Sequence, residues 1–358
     1  MKITLVLCVI VMFGLGILSL VHTPPDVLQS ERRFPDTLPP LTMQTVLSAE
    51  YMDRFESYAA DNFIFREAFR SLRAATVFGL FLQTDKEGLY FEREGAGEFK
   101  PIDAQSFEQV ADIINNLTES LEDINIYYAF IPDKSVYANR DFPGFDPELA
   151  RELLEGRLNN FTFIDLTAVM DINTFYRTDF HWDQAQLEGV VNTLGAEMGF
   201  SIDLSRYELR HFDEFEGVFA GQIALPIGND SLLYFDFPHL SAYYLNVRTM
   251  EMELGSIYDY ERFWGMDPYD FFLSGGQPLI IIENENAAYE RTLYLFRDSF
   301  SSSLAPLLSG AYSEIVLIDL RYIDFRTIQQ LVDFEPGSDA LFLYSTQVLN
   351  NSDFLLGW

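Results

Sequence analysis

Beyond the N-terminal segment, hydrophobic residues form short, nearly continuous apolar runs and longer stretches that have the spacing of a helix. The apolar runs predict buried strands at residues 124–131, 161–166, 278–282, 293–296, 315–320 and 341–344. The helical spacing predicts helices at residues 106–121, 183–198, 301–308 and 325–332. Apolar strands that alternate with helices predict an α/β fold, in which helices cover both faces of a mostly parallel sheet.

Two segments depart from this alternation. Helical spacing over residues 47–81 predicts two helices, the second of them capped by Asp61 or Asn62. Residues 207–259 are rich in Phe, Tyr and turn residues, which predicts a β-rich insertion. The predicted α/β domain therefore spans residues 43–358 and contains one insertion.

The chain begins with an uncharged apolar run at residues 3–21, directly after Lys2. A helix of this length rises about 28 Å, close to the hydrocarbon thickness of a bilayer. It predicts a single-pass anchor over residues 1–22, with the remaining chain outside the cytoplasmic membrane. A cleaved signal peptide is the alternative, although residues 18–22 lack a small-residue cleavage pattern. Five prolines within residues 23–42 predict an extended tether.

Charge and cysteine content narrow the range of functions. The formal net charge of -32 would repel a polyanion, so a nucleic-acid partner is not expected. The single cysteine, Cys8, lies in the first apolar run and allows neither an intrachain disulfide nor a cysteine-based metal site. The sequence contains no nucleotide-binding glycine motif and no calcium-loop spacing. Neither a cofactor nor a metal is therefore predicted.

The best candidate chemistry lies in an Asp-x-His pair, Asp179 and His181, placed in a loop before a predicted helix. An aspartate at this distance can bind the imidazole Nδ1 and fix the tautomer of a general base. Ser299 lies between a predicted strand and a predicted helix, where its hydroxyl would be beside free backbone N–H groups. A packed histidine and a helix cap are the alternative explanations for these residues.

Several separated motifs resemble the bacterial DHHW protein family, which belongs with the SGNH-like proteins of alginate O-acetylation. They are YRTDFHWD at 176–183, LYLFRDSFSSSLAPLL at 293–308, IVLIDLRY at 315–322, SYAADNFIFREAFR at 57–70 and FIPDKSVY at 130–137. The resemblance covers nearly the whole predicted domain in order, and departs from the family at Phe180, which replaces the first histidine of the name motif. It implies an SGNH-like, flavodoxin-like fold.

The resemblance also implies a catalytic triad. In it, Ser299 is the nucleophile, His181 is the base and Asp179 orients the imidazole. The order in the chain, with the Asp-x-His loop before the serine, is that of the acetylation relatives.

The resemblance also implies a second group of residues, which would bind the substrate. Arg321 is a candidate for ligand or oxyanion binding. Tyr176 and Trp182 are candidates for lining a sugar-sized pocket, with aromatic packing as the alternative. The candidates for further oxyanion donors are Gly275, Gly276 and Asn350.

Two functional hypotheses follow. The first is a membrane-anchored O-acetyltransferase or acetylesterase that acts on a cell-surface or extracellular polysaccharide, with a membrane acyl-donor protein as an implied partner. The second is a catalytically inactive module of the same fold that binds glycan or serves as an assembly scaffold of the cell envelope. Hydrolysis of an acetyl ester distinguishes them.

Overall fold

The computed structural model describes residues 2–22, 25–48, 50–140, 142, 144–237 and 239–355. By their contacts these residues form two compact units. Unit 1 comprises Met1–Glu87 and Ala220–Ile227, and unit 2 comprises Gly88–Phe219 and Gly228–Trp358. The first two residues of the predicted tether, 23 and 24, lie outside the described residues. All three residues of the predicted triad belong to unit 2.

Unit 1 is mainly helical. Its elements are α1 (Lys2–Val21), α2 (Met43–Leu47), α3 (Glu50–Asp61), α4 (Arg66–Ala74), a π-helical turn (Ala75–Leu80) and the short strand β1 (Asp85–Lys86). The two helices predicted over residues 47–81 are therefore present as α3 and α4. Among the residues whose placement is described, no helix is both long enough and apolar enough to cross a membrane.

The predicted cap of α4 by Asp61 or Asn62 is wrong. The residue before α4 is Phe65, which makes no capping side-chain bond. Asp61 instead accepts two hydrogen bonds from the Arg33 guanidinium, at 2.7 and 2.6 Å, and one from the backbone of Asp36 at 2.9 Å. Asn62 donates back to a carbonyl of α3. A two-pronged bond to arginine is stronger than a single bond to a helix N–H, so Asp61 is used to join segments.

Unit 2 contains the α/β body. Its strands are β2 (Leu89–Phe91), β3 (Ala96–Glu98), β4 (Asn125–Ile131), β5 (Thr162–Phe163), β6 (Glu208–Phe215), β7 (Asp230–Asp236), β8 (Leu240–Asn246), β9 (Glu251–Gly255), β10 (Leu279–Asn284), β11 (Tyr289–Arg297), β12 (Tyr312–Ile318) and β13 (Asp339–Ser345). Its helices are α5 (Ala104–Thr118), α6 (Pro147–Glu155), α7 (Glu188–Met198), α9 (Ser301–Leu308), α10 (Phe325–Leu331) and α11 (Thr346–Leu349). Helix α8 (Val218–Ile223) crosses the sequence boundary between the units.

Eight strands form one large sheet in the order β5-β4-β13-β11-β12-β10-β8-β9. The five strands from β5 to β12 run parallel. The strands β10, β8 and β9 continue the sheet in antiparallel pairs. The mixed α/β fold with a mostly parallel sheet is therefore confirmed. Each of the six predicted strands overlaps a strand of this sheet.

Helices cover both faces of the sheet because alternate strand residues point to opposite sides. On one face, α7 and α9 pack over Leu293 and Leu295 of the central strand β11. On the other face, α5, α6 and α10 pack over Tyr294 and Phe296 of the same strand. The helices α5, α6 and α10 each follow an aspartate whose carboxylate accepts a backbone N–H of the first turn: Asp103, Asp146 and Asp324.

The segment predicted as a β-rich insertion, residues 207–259, contains four strands. β6 and β7 form a separate antiparallel pair, whereas β8 and β9 extend the main sheet. Part of this segment is therefore continuous with the α/β body. The pair β6-β7 matters for the site because Asp230, the first residue of β7, contacts the histidine loop described below.

Candidate active site

Ser299 lies at the carboxyl end of the parallel strands. β11 ends at Arg297, and α9 begins at Ser301. Between them, the Asp298 carboxylate accepts the backbone N–H of Phe300 at 3.1 Å. Its other oxygen accepts the N–H of Ser345, at the end of the neighbouring strand β13, at 2.6 Å. Asp298 thus ties the serine loop to two strand ends, and Ser299 itself is half-buried.

Three of the backbone N–H groups that follow Ser299 in the chain are engaged within the turn, in contrast to the free groups predicted there. Phe300 N–H binds the Asp298 carboxylate, Ser301 N–H binds the Asp298 carbonyl, and Ser302 N–H binds the Ser299 carbonyl. The tight turn between β11 and α9 uses these donors for its own hydrogen bonds. They do not stand free for a developing oxyanion.

His181 lies on a tight hairpin. Phe175 and Trp182 form an isolated antiparallel bridge, and Tyr176 N–H binds the carbonyl of His181 at 3.0 Å. The residues between them turn sharply. This turn allows one oxygen of Asp179 to accept both the backbone N–H of His181, at 3.1 Å, and its Nδ1, at 2.9 Å.

The hairpin is fixed from outside by backbone and carboxylate contacts. The carboxylate of Asp230 accepts the N–H groups of Arg177 and Thr178 and the Thr178 hydroxyl. Gly217 N–H donates to that hydroxyl at 2.8 Å, and Val218 N–H donates to the second oxygen of Asp179 at 3.0 Å. A Cβ at Gly217 would lie 2.3 Å from the Thr178 carbonyl, so this close approach requires glycine.

The two loops bring the predicted triad together. His181 Nε2 lies 2.8 Å from Ser299 Oγ, and Nδ1 lies 2.9 Å from Asp179 Oδ1. A carboxylate can only accept, so the imidazole proton belongs on Nδ1 and Nε2 is left to accept the serine proton. His181 is 2% exposed and Asp179 is fully buried, so their hydrogen bond is shielded from competing water. Chemically, the arrangement can activate an alcohol.

Aromatic rings fix the plane of the imidazole. The ring of Tyr269 is stacked on that of His181, with centroids 3.7 Å apart and planes 6° apart. The Phe180 ring is also in contact with it, at 4.0 Å between centroids. The Tyr269 hydroxyl binds Ser303 Oγ in α9 at 2.7 Å. Burial raises the pKa of Tyr269, so this ring stays neutral beside the base.

The structure places Tyr176 and Trp182 behind the site, not on an open pocket wall. Trp182 is fully buried, and its Nε1 donates to the Phe300 carbonyl at 2.8 Å and to Ser303 Oγ at 2.9 Å. Tyr176 is 2% exposed and packs edge-to-face on Tyr269. Both residues therefore support the loops, in agreement with the packing alternative. Burial raises the pKa of the Tyr176 phenol.

Arg321 follows the end of β12, the strand beside β11. Its guanidinium makes a two-pronged bond to Asp319, at 2.8 and 2.6 Å, which raises its pKa against the opposing effect of burial. Among the candidate oxyanion donors, Asn350 is engaged elsewhere, with the N–H of Asp103 and the carbonyl of Pro101 at the start of α5. The residues 275 and 276 lie against Asp270 and Tyr322 respectively.

Four residues of the site have roles that sequence reasoning did not assign. They are Lys134, Asp230, Tyr269 and Asp298. Their positions in the sequence indicate only a helix cap for Asp298 and a turn residue for Asp230. Their partners lie far away in the chain, and spacing carries no signal for such pairs. Among the described residues, no group of three or more metal-ligating side chains is placed to hold a metal ion.

Asp183 directly follows the hairpin, and the effect of burial on its pKa can be tested through protein stability. It accepts the N–H of Ala185 at 3.0 Å, and burial raises its pKa to about 6. The charged form is therefore penalised in the folded protein above about pH 6, and the penalty declines as the pH falls toward 4. We expect Asp183→Asn to raise the free energy of unfolding by about 1 kcal/mol at pH 8 and by less at pH 5. Urea unfolding of both proteins at both pH values measures this difference. An equal change in the free energy of unfolding at pH 8 and pH 5 would contradict the prediction.

Comparison with known proteins shows that the fold which carries this site is a known one. No model of a protein family matches the chain, and no curated protein matches it in sequence. Among solved structures, it is similar to a DHHW family protein from Eubacterium siraeum, with a TM-score of 0.61, 17% identity, and coverage of 75% of this chain and 94% of that chain. It is also similar to Bacillus cereus PatB1 with a sulfonyl adduct, with a TM-score of 0.57, 19% identity, and coverage of 74% and 97%.

A third match is the O-acetyltransferase domain of Pseudomonas putida AlgJ, with a TM-score of 0.42, 12% identity, and coverage of 74% of this chain and 93% of that domain. A TM-score this low does not establish a shared fold. The first two matches cover most of unit 2 and most of their own chains, at identities that establish the fold alone. The resemblance predicted from the sequence is confirmed: the chain has the fold of the DHHW family protein and of PatB1.

Proposed function

We propose that this chain is an acyl-ester enzyme, an O-acetyltransferase or acetylesterase that uses Ser299, His181 and Asp179 as a catalytic triad. The observation that carries the proposal is the continuous chain of hydrogen bonds from Asp179 Oδ1 through the imidazole to Ser299 Oγ, at 2.9 and 2.8 Å. Ser299 is half-buried at the carboxyl edge of the sheet, where ligands of open α/β folds bind.

The first half of the reaction forms an acyl-enzyme. His181 Nε2 accepts the proton of Ser299 as Oγ bonds to the acyl carbon of the donor ester. The bond between that carbon and the donor oxygen then breaks, and the imidazolium returns the proton to the departing oxygen. Asp179 stabilises the imidazolium through Nδ1 while it exists.

The second half releases the acyl group. His181 Nε2 takes the proton of an incoming hydroxyl, whose oxygen attacks the acyl carbon. The bond to Ser299 Oγ breaks, and Oγ recovers the proton from the imidazolium. A sugar hydroxyl as acceptor gives O-acetylation, and water gives hydrolysis. Transfer requires that the acceptor exclude water from the acyl-enzyme.

The substrate and the location of the enzyme belong to the same proposal. The uncharged run at residues 3–21 supports a membrane anchor that holds the catalytic unit outside the cytoplasmic membrane, beside cell-surface or extracellular polysaccharide. An acyl donor would then reach the site from a membrane protein. PatB1, a protein of the same fold, has a structure with a sulfonyl adduct, and sulfonyl reagents react with nucleophilic side chains, which supports a nucleophile in the proposal.

The test uses the purified full-length chain with a chromogenic acetyl ester, with and without a polysaccharide that has been chemically deacetylated. We expect release of the chromophore, and acetyl groups on the polysaccharide if transfer dominates. A folded protein that releases no chromophore would overturn the enzymatic proposal. If such a protein still bound the polysaccharide, the scaffold hypothesis would replace it.

A further inference from the structure

A buried lysine holds the loop that carries Asp179 and His181. Lys134 lies in a short 3-10 helix directly after β4 and is 4% exposed. Its Nζ donates to three backbone carbonyls of the hairpin: those of Tyr176 at 2.5 Å, Arg177 at 3.1 Å and Asp179 at 3.3 Å. One side chain therefore binds three carbonyl groups of the same turn.

The three contacts match a protonated lysine. An ammonium group has three N–H donors and no acceptor, so it can serve three carbonyl oxygens. A neutral amine has two donors and a lone pair, and one carbonyl would then lose its bond to Nζ. The Arg177 carbonyl also accepts the N–H of Ala96 at 2.7 Å, so the loss matters at the carbonyls of Tyr176 and Asp179. A buried carbonyl without a partner costs free energy, so the turn would relax toward another conformation. The conformation seen here thus depends on the charge.

Burial and the charged neighbours of Lys134 have opposite effects on its pKa. Asp133, Asp179 and Asp230 favour the charged form, whereas Arg177 and, above all, burial disfavour it. The ring of Phe219 lies 5.9 Å from Nζ and adds a weak attraction. Burial dominates and lowers the pKa of Lys134 to about 8. The ammonium is charged at neutral pH and becomes neutral under mildly alkaline conditions.

We propose that Lys134 is a positioning residue of the acyl-transfer site, whose ammonium group holds the hairpin in the conformation that directs His181 toward Ser299. It acts through the backbone of the hairpin and touches no reacting atom. Its effect on activity rests on the proposed function, whereas its effect on the His181–Asp179 contact does not.

The first experiment compares Lys134→Met with Lys86→Met in ester hydrolysis. Lys86 is a matched control because it is also buried and its Nζ donates to a backbone carbonyl, that of Gln222 in unit 1. We expect Lys134→Met to lower kcat by about 10²-fold at pH 7. We also expect the wild-type rate to fall above about pH 8 and this fall to be absent in Lys134→Met. Lys86→Met should keep the wild-type rate and pH profile.

The second experiment does not depend on activity. The Nδ1 proton of His181, bound to a carboxylate, should give a downfield proton NMR signal that is absent in Asp179→Asn. We expect this signal in the wild type at pH 7, its loss above about pH 8, and its loss or shift in Lys134→Met at every pH. If Lys134→Met does not fold, the wild-type titration decides, because it neutralises the lysine without a substitution.

The outcomes are distinct. A signal and a pH profile in Lys134→Met like those of the wild type would overturn the positioning role, and so would a wild-type signal that stays constant through pH 9. The wild type could lack esterase activity while its Nδ1 proton signal still changes with the charge or the substitution of Lys134. That result would overturn the proposed function and support the positioning role.

Discussion

Replacing Ser299 with alanine is expected to abolish release of the chromophore from an acetyl ester, lowering kcat by about 10⁴-fold or more. The substitution removes the oxygen that bonds to the acyl carbon and leaves His181 without an alcohol to deprotonate. Because Ser299 is half-buried and its hydroxyl contacts His181 Nε2, the free energy of unfolding should change little. Steady-state hydrolysis and thermal unfolding measure the two quantities.

Ser301→Ala is the matched control for this prediction. Ser301 lies two residues away at the start of α9, and its buried hydroxyl has no hydrogen-bond partner among the residues that the structure describes. Its removal should leave the rate unchanged. If Ser299→Ala keeps the rate of the wild type, Ser299 is not the nucleophile, whatever the behaviour of the control.

Asp179→Asn is expected to lower kcat by about 10³–10⁴-fold without a comparable loss of binding. An asparagine amide donates through nitrogen, so at least one present contact must be lost: those of one oxygen with His181 N–H and His181 Nδ1, or that of the other oxygen with Val218 N–H. If the amide nitrogen faces the imidazole, the proton moves to Nε2, which can then no longer accept the proton of Ser299. His181 is then present as the tautomer that cannot act as a base toward Ser299.

Asp183→Asn serves as the control for the loss of one nearby carboxylate. Asp183 caps the turn after the hairpin and accepts the N–H of Ala185, so its replacement should leave kcat close to that of the wild type. A decrease in kcat of similar size in both variants would show that charge in the region, and not the tautomer of His181, governs the reaction. That result would contradict the role assigned to Asp179.

The central strands are predictable because both of their faces are buried. Every residue of β13 is buried, and β11 is buried from Thr292 to Arg297, so each is apolar over several consecutive positions. The edge strand β9 exposes most of its residues, and β8 beside it is mostly half-buried, so neither shows a continuous apolar run or a strict alternation. Their sequence resembles that of a separate insertion, and only the pairing of β8 with β10 joins them to the sheet.

The site is predictable to the extent that its contacts are local. Asp179 and His181 are two positions apart, and Ser299 follows a clear strand, so their residue types and places indicate chemistry. The supports are not local: Lys134 binds the carbonyl of Asp179 from 45 positions away, and Asp230 binds Thr178 from 52 positions away. A charged residue with a distant backbone partner has no period or spacing that distinguishes it from a surface charge.

Everything proposed about catalysis depends on an unusually reactive alcohol at position 299, and covalent labelling measures that reactivity most directly. The full-length chain is incubated with phenylmethanesulfonyl fluoride, digested, and mapped by mass spectrometry. We expect one sulfonyl group on the peptide that contains Ser299, no label on that peptide in Ser299→Ala, and much slower labelling in His181→Asn. Labelling of a different residue, or labelling of Ser299 at the same rate without His181, would contradict this expectation.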